Sequence, residues 1–370
     1  MFFSISKTKQ SNYTKSYKLD NGLFFNCDHG WNILNYQNKK IFYKGYVLHN
    51  DIENIIKNHT LSLTPRYKGN FSCIICDRDK ITITHDIDRG FPIFSHKDQI
   101  TNLIKGDLLY SNMFIDINSN LEISYNQFKN YSISNEMLEY EIGLKKIHFL
   151  IKNAFDSFLS KNKNPIKIFL SGGIDTLLAY SFLKKSTKNF ELVNKEYVTK
   201  TNFYLKNKEH LVKFWGYNQM HSWGNTSSVL VTGGCGDEYM MRNPIIIKKL
   251  FDFFDIDFLN ELKNHVNAYH FKYFNREKNV KIFQQPKNKM KNLILTKMEI
   301  FKNLSNDHQH WHLDGTIFFT PFKDLEIANL FLQLPKEKLL EQALDAKISK
   351  DLISLNDPND LKLLSKYKNS

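Results

Sequence analysis

The stretch Ile166-Lys167-Ile168-Phe169-Leu170-Ser171-Gly172-Gly173-Ile174-Asp175-Thr176 decides the fold. Ile166 to Leu170 is a short apolar run that reads as a strand. It passes straight into a loop with two glycines, and Leu177 to Lys185 reads as a helix. Upstream, Ile147, Ile151, Ala154 and Phe158 recur at four, three and four residues, one face of an amphipathic helix that Asn162 to Pro165 stop. Downstream, Phe190 to Val198 is a second strand-like run. Ser228 to Val231 is a third, ending in Thr232-Gly233-Gly234-Cys235-Gly236-Asp237-Glu238. The remainder to residue 370 reads as mostly helical. Strands alternating with helices predict a parallel sheet, and ligands of such sheets sit off the carboxyl ends of the strands. Both glycine-rich loops fall there.

The loop at 171–176 joins two hydroxyls, two glycines and a carboxylate at the start of a helix. Glycines let backbone N–H groups form a concavity, and the helix N-terminus adds partial positive charge, so the loop suits a phosphate or pyrophosphate. Ser171 and Thr176 are hydroxyl donors to phosphate oxygens. Asp175 repels a bare phosphate and makes sense with Mg²⁺ between them. The pattern is neither G-x-x-x-x-G-K-S/T nor G-x-G-x-x-G. A ligand-free strand-to-helix turn is the competing reading. In the second loop, Asp237 and Glu238 either share a metal with Asp175 or simply complement a helix dipole.

The first 125 residues read as β-rich. Leu23-Phe24-Phe25, Ile41-Phe42-Tyr43, Phe71 to Cys76, Ile81 to Thr84 and Phe91 to Phe94 are short apolar runs, and Asp77 to Lys80 is a hairpin turn. Residues 120–135, rich in Asn, Ser and Tyr, are expected to be a connector.

The chain has 370 residues, which at about 150 per domain suggests two domains. Lys+Arg is 51 and Asp+Glu is 38, a formal charge of +13. Such an excess suits nucleic acid, an anionic surface or a polyanionic substrate. The cations are almost all scattered Lys without a basic tract, which favours a solvated, lysine-coated surface over a nucleic-acid face. Cys27, Cys73, Cys76 and Cys235 are too few for a disulfide framework and fit a reducing compartment. Cys73 and Cys76 form C-x-x-C, but no second pair follows, and Asn70 to Cys76 reads as a buried strand with structural cysteines. No apolar run approaches the roughly 18 residues of a membrane span, and Met1 to Lys7 lack the pattern of a secretory signal. A cytoplasmic location is expected.

Ser171-Gly172-Gly173-Ile174-Asp175-Thr176 resembles the S-G-G-x-D-S/T loop of the ATP-pyrophosphatases, which cleave ATP between its α- and β-phosphates. Gly233 to Tyr239 is similar to the G-x-G-x-D-E-hydrophobic loop of the asparagine synthetase family, with Cys235 where a glycine is usual. Pro321-Phe322-Lys323-Asp324, followed by Phe331 to Pro335, resembles that family's P-F-L-D, helix and L-P turn. Lys347 to Lys350 resembles its K-x-x-L-R segment. These four motifs run in order over about 165–355. More weakly, Phe71 to Phe94 is similar to the family's class II glutamine amidotransferase domain, with Asp86, Gly90 and Pro92 matching.

The resemblance implies residues 1–133 as a degenerate glutamine amidotransferase-like domain, an Ntn-hydrolase-like β-sandwich flanked by helices. It implies 134–370 as an asparagine synthetase-like, parallel-sheet nucleotide-binding domain of the adenine nucleotide α-hydrolase kind, with a helical C-terminal part. Together these make an α/β and α+β protein. The amidotransferase nucleophile is a cysteine directly after the initiator Met, where this chain has Phe2, so glutamine hydrolysis by that mechanism is excluded. The layout is then similar to β-lactam synthetases and lasso-peptide cyclases, which adenylate a carboxylate and close an amide with an amine already present.

The implied activity is that of an AMP-forming carbon–nitrogen ligase using ATP and Mg²⁺. Its partners would be a small-molecule carboxylate and an amine or ammonia. The resemblance implies that Ser171, Gly172, Gly173, Asp175, Thr176, Gly233, Gly234 and Gly236 hold the nucleotide, that Asp175 and Asp237 hold the metal, and that Lys347, over the reacting phosphates, and Asp237 are catalytic. Ile317 to Thr320 replace the family's E-x-R-x before P-F, which opens the identity of the acyl substrate. His308, His310 and His312, with Asp307 and Asp314, read as a metal site, a general base or a polar loop beside the substrate. Tyr239 and Arg242 either line the acceptor pocket or cap a helix. Two rival functions remain: a tRNA- or nucleobase-modifying ATP-pyrophosphatase, which +13 suits, and a catalytically degenerate ATP-binding protein.

Overall fold

Residues 81–84 alternate Ile-Thr-Ile-Thr, and the fold uses that alternation. Ile81 and Ile83 are fully buried between two sheets, while Thr82 turns the other way and donates to Asp116 Oδ1 at 2.5 Å. The computed structural model describes residues 3–27, 31–48, 53, 69–85, 93–96, 98–101, 107–109, 113–127, 136–170, 172–193, 199–200, 221–222, 229–234, 236–242 and 317–367. The early strands are β1 (Phe3–Ser6), β2 (Lys15–Lys18), β3 (Phe24–Cys27), β4 (Asn32–Tyr36), β5 (Lys39–Val47) and β6 (Gly69–Cys76). They continue as β7 (Lys80–His85), β8 (Ile93–His96), β9 (Gln99–Thr101), β10 (Asp107–Leu109), β11 (Met113–Asn118) and β12 (Ile123–Gln127). One antiparallel sheet runs β10-β8-β9-β1-β3-β2 and the other β12-β11-β7-β6-β5-β4.

Phe3, Ile5, Phe25 and Cys27 of the first sheet pack on Phe42, Ile74, Cys76 and Ile117 of the second. The Phe25 and Phe42 rings stand 4.2 Å apart across the gap. This part is therefore a β-sandwich, in agreement with the β-rich reading of the sequence; the flanking helices that the resemblance implies are not among its described elements. The hairpin expected at Asp77 to Lys80 is present, with the Asp77 N–H donating to the Lys80 carbonyl at 2.9 Å. The connector expected at 120–135 is corrected, because β12 lies inside it, paired with β11 from Ile117↔Ile123 to Met113↔Gln127. Leu121, at φ 67°, turns the chain for that pairing.

Cys73 and Cys76 are buried in β6, as expected. Three residues apart on a strand, they face opposite sides. Cys76 lies in the core between the sheets and Cys73 in the cluster with Ile41 and Phe71 on the other face. They are not poised to chelate one ion. Burial pushes both thiols up, Cys76 to about 12.

The second half begins with α1 (Tyr140–Lys161), then β13 (Ile166–Phe169), α2 (Ile174–Ser186), β14 (Glu191–Val193), β15 (Thr199–Lys200), β16 (His221–Ser222), β17 (Val229–Val231) and α3 (Gly236–Tyr239). It closes with β18 (Ile317–Phe319), α4 (Leu325–Leu332), α5 (Lys336–Asp345), α6 (Lys347–Asn356) and α7 (Lys362–Tyr367). The sheet β14-β13-β17-β18 is parallel throughout. A mostly helical C-terminal remainder was expected. Ile317–Phe319 is instead a sheet strand, while 325–367 is helical.

The face of α1 read from the sequence is the buried one: Ile147, Ile151, Ala154 and Phe158 pack on the sheet, and Phe158 stacks on Phe319 at 4.1 Å. Asn162 ends α1, its side chain bonding Asn164 in both directions before Pro165. Tyr46 of β5 lies edge-on to Phe158 at 5.0 Å, so the sandwich and the parallel sheet share this core. At 22 residues α1 has the length to cross a bilayer, but it carries Glu141, Lys145, Lys146, Lys152, Asp156 and Lys161. Among the described residues, no helix is long and apolar enough to cross a membrane.

Candidate functional site: two glycine loops on adjacent strands

β13 and β17 are hydrogen-bonded neighbours running parallel, from Ile166↔Val229 to Ile168↔Val231. The loops that follow them therefore leave the same edge of the sheet side by side. In the first, Gly172 takes φ 79°, a left-handed conformation open to glycine at little cost, and Gly173 caps α2. Asp175 and Thr176 then fall in the first turn of a 13-residue helix, where its free N–H groups and partial positive charge lie.

The glycines of the second loop let it approach the first. A Cβ on Gly233 would stand 2.4 Å from the Thr176 nitrogen and 2.6 Å from the Asp175 carbonyl carbon. One on Gly236 would stand 2.6 Å from the Asp175 Cγ. Gly234 donates its N–H to Thr232 Oγ1 at 3.1 Å, and its carbonyl accepts from Thr320 Oγ1 just past β18. The Thr232 N–H reaches the Phe319 carbonyl at 3.0 Å. The P-F-K-D segment is thereby tied to the same edge. Phe322, Lys323 and Asp324 are buried there, and Asp324 caps α4 by accepting from the Glu326 N–H at 2.9 Å.

Asp175 and Asp237 meet at this junction, both within reach of a single guanidinium nitrogen. Arg242 lies between them. Its Nη1 donates to Asp175 Oδ1 at 2.7 Å and stands 3.5 Å from Asp237 Oδ1. Asp175 and Arg242 are each 14% exposed and Asp237 is 42% exposed. Burial pushes the Asp175 carboxyl up from its ordinary value, the guanidinium pulls it down, and the Asp237 charge pushes it up.

The residues read from the sequence divide as follows. Gly172, Gly173, Asp175, Thr176, Gly233, Gly234, Gly236 and Asp237 are gathered at this edge. Ser171, Cys235 and the histidines 308, 310 and 312 lie outside the described residues. Tyr239 does not line a pocket: it is fully buried in the core, 1% exposed. Arg242 pairs with the carboxylates, and its N–H bonds the Asp237 carbonyl at 2.7 Å at the end of α3.

Lys347 lies in the first turn of α6, where it donates to Asp351 Oδ1 at 2.7 Å. That hydrogen bond raises the lysine's pKa. Asp351 also accepts from the Tyr140 hydroxyl at 2.5 Å, and burial together with this bond keeps Tyr140 protonated. Gln342 links α6 to the second loop and has no counterpart in the sequence reading. Fully buried, its Nε2 donates to the Met240 carbonyl and to Ser349 Oγ, both at 2.9 Å, and its Oε1 accepts from the Ser349 N–H at 3.1 Å.

Among the described residues no group of three or more His, Cys, Asp or Glu is gathered as a metal cage. Two carboxylates beside a helix N-terminus are instead the donor set that Mg²⁺ takes when phosphate oxygens complete its shell. The residues present fit a metal that arrives with a phosphate.

No family model matches the chain, and no curated protein matches it. Among solved structures, it is similar to a glutamine phosphoribosylpyrophosphate amidotransferase from B. subtilis complexed with ADP and GMP. The identity is 10%, over 63% of this chain and 69% of that one, with a TM-score of 0.23. It is also similar to a structure described as the allosteric regulatory enzyme of purine biosynthesis. Here the identity is 10%, over 56% of this chain and 60% of that one, with a TM-score of 0.21. Likeness at that level carries no argument; the β-sandwich and the parallel sheet stand on their own strand pairings.

Proposed function

We propose that this chain is an ATP-dependent, amide-forming ligase. It adenylates a substrate carboxylate with release of pyrophosphate, and ammonia or an amine then displaces AMP from the acyl adenylate to form the amide. The observation that carries this reading is the meeting of Asp175 and Asp237 across two glycine loops on neighbouring parallel strands, beside the N-terminus of α2. The four motifs in order along the sequence support it independently.

In this reading the backbone N–H groups of Gly172 and Gly173, with Thr176 and Ser171, orient the pyrophosphate portion of ATP at the head of α2. Asp175 and Asp237 hold Mg²⁺, which supplies charge neutralisation on the departing pyrophosphate. The chain contributes preorganisation: Gly233 and Gly236 fix the loops against each other, so the two carboxylates are in place before substrate arrives. Lys347 supplies positive charge beside the reacting phosphates. Its bond to Asp351 is a half-exposed ion pair, the lysine 43% and the aspartate 22% exposed, and pairs open to solvent contribute about 0–1 kcal/mol, so it exchanges for a phosphate at little cost.

The test is a pyrophosphate-release screen with ATP and Mg²⁺ against amino acids, small diacids and free ammonium, with and without tRNA. Release that depends on a small carboxylic acid supports the ligase. Release that depends on tRNA supports a base-modifying enzyme instead, and ATP binding without release across the screen supports a binding protein.

A further inference from the structure

Two carboxylates held together, one of them mostly buried, need a counter-charge, and this site carries its own. Arg242 Nη1 touches Asp175 at 2.7 Å and lies 3.5 Å from Asp237. The arginine is held in position at its backbone. Met241 before it takes φ 59°, and its own N–H bonds the Asp237 carbonyl at 2.7 Å. A guanidinium stays charged at every working pH. A divalent cation bridging Oδ1 of both carboxylates would therefore stand against a positive charge already seated on those atoms.

We propose that Arg242 is a built-in counter-ion of the Asp175–Asp237 pair which a divalent cation must displace, and that the freed guanidinium turns onto the incoming polyphosphate. This rests on the metal-binding reading of the two aspartates. It makes loading conditional: metal alone competes with a positive charge already seated, whereas metal with a polyphosphate gives the guanidinium a new anionic partner. Arginine suits the exchange because its planar fork matches carboxylate and phosphate oxygens alike. Empty, the pair has half of its negative charge balanced by the guanidinium, which weakens its hold on free metal. Occupied, it gains one more cation on the phosphates.

The experiment is Mn²⁺ binding to the full chain, followed by electron paramagnetic resonance, with and without inorganic pyrophosphate. Wild type is expected to bind Mn²⁺ alone weakly and Mn²⁺ with pyrophosphate well. Arg242→Gln is expected to bind Mn²⁺ alone roughly tenfold or more tightly than wild type, a coupling of ordinary size, and to lose most of the gain from pyrophosphate. Arg242→Lys, which keeps the charge, is expected to stay near wild type for Mn²⁺ alone. Equal or weaker binding of Mn²⁺ alone by Arg242→Gln overturns the proposal while leaving the metal reading intact. Absence of Mn²⁺ binding by wild type even with pyrophosphate overturns both. Should Arg242→Gln not fold, wild type labelled with ¹⁵N-arginine decides the matter, since the chain has five arginines. The Arg242 guanidinium signal is expected to move when Mg²⁺ and pyrophosphate are added together, and an unmoved signal overturns the proposal.

Discussion

Gly236 lies against Asp175 so closely that a Cβ built on it would stand 2.6 Å from the Asp175 Cγ and 2.7 Å from its Cβ. The neighbouring atoms are the root of a short, buried side chain, which has little freedom to move aside. Gly236→Ala is therefore expected to push the Asp175 carboxylate out of register with Asp237. Overpacking of this kind costs about 1–3 kcal/mol. A urea-unfolding midpoint measures that cost, and wild-type stability with wild-type nucleotide binding would contradict it.

Gly233→Ala should be the harsher change. Its Cβ would meet backbone, 2.4 Å from the Thr176 nitrogen, and the start of α2 cannot rotate away as a side chain can. A larger drop in the urea midpoint than for Gly236→Ala is expected, and the reverse order would show that the loops are less rigidly joined than the geometry indicates.

Much of this site was legible in the sequence because glycine, carboxylate and hydroxyl cluster within six residues, after a run that only a strand explains. The parallel sheet followed from strands alternating with a helix whose apolar period Ile147, Ile151, Ala154 and Phe158 announce. What escaped depended on contacts far apart in sequence. Arg242 has 67 residues between its number and that of Asp175, and no periodicity points to the pairing. Its signal was chemical: an arginine in a chain whose cations are nearly all lysine, five residues after Asp237. Gln342, with 102 between it and Met240, gave no signal at all. β12 was missed because Asn and Ser around Ile123–Gln127 read as loop, whereas pairing with β11 overrides that propensity.

Gln342→Leu tests the link between the second loop and α6. The leucine leaves the Met240 carbonyl and the Ser349 N–H buried without their present partner. Each such group costs about 1–3 kcal/mol, so a loss of roughly 2–6 kcal/mol is expected. Calorimetry checks it; a change under about 1 kcal/mol would mean that the groups find other partners.

The C-terminal segment is pinned to α2 by Lys184, which bonds Asp357 at 2.9 Å and Asp360 at 2.5 Å. The Lys184 bond, then the Asn359 N–H, hold Asp357 below its ordinary value of 3.8. Lys184 itself is raised above 10.5: burial opposes its charge, but the two carboxylates outweigh that. A depressed acid stabilises above its unfolded value and loses that contribution as pH falls through the folded value. A raised base stabilises below its unfolded value and loses it above the folded one. The pin therefore acts between about pH 4 and about pH 10. Asp357→Asn should lower the melting temperature slightly at pH 7, with the difference from wild type shrinking toward pH 3. A difference that stays constant across that range would contradict the pin.

The central claim is that Asp175 and Asp237 form one metal-assisted site for cleaving ATP at the α-phosphate. Exchange of radiolabelled pyrophosphate into ATP, driven by the carboxylic acid that stimulates pyrophosphate release, tests it most directly. Wild type should exchange. Asp175→Ala and Asp237→Ala, each shown to be folded by circular dichroism, should lose exchange by about a hundredfold or more, as when a main electrostatic group is removed from an active site. Exchange retained in either folded variant would contradict the account.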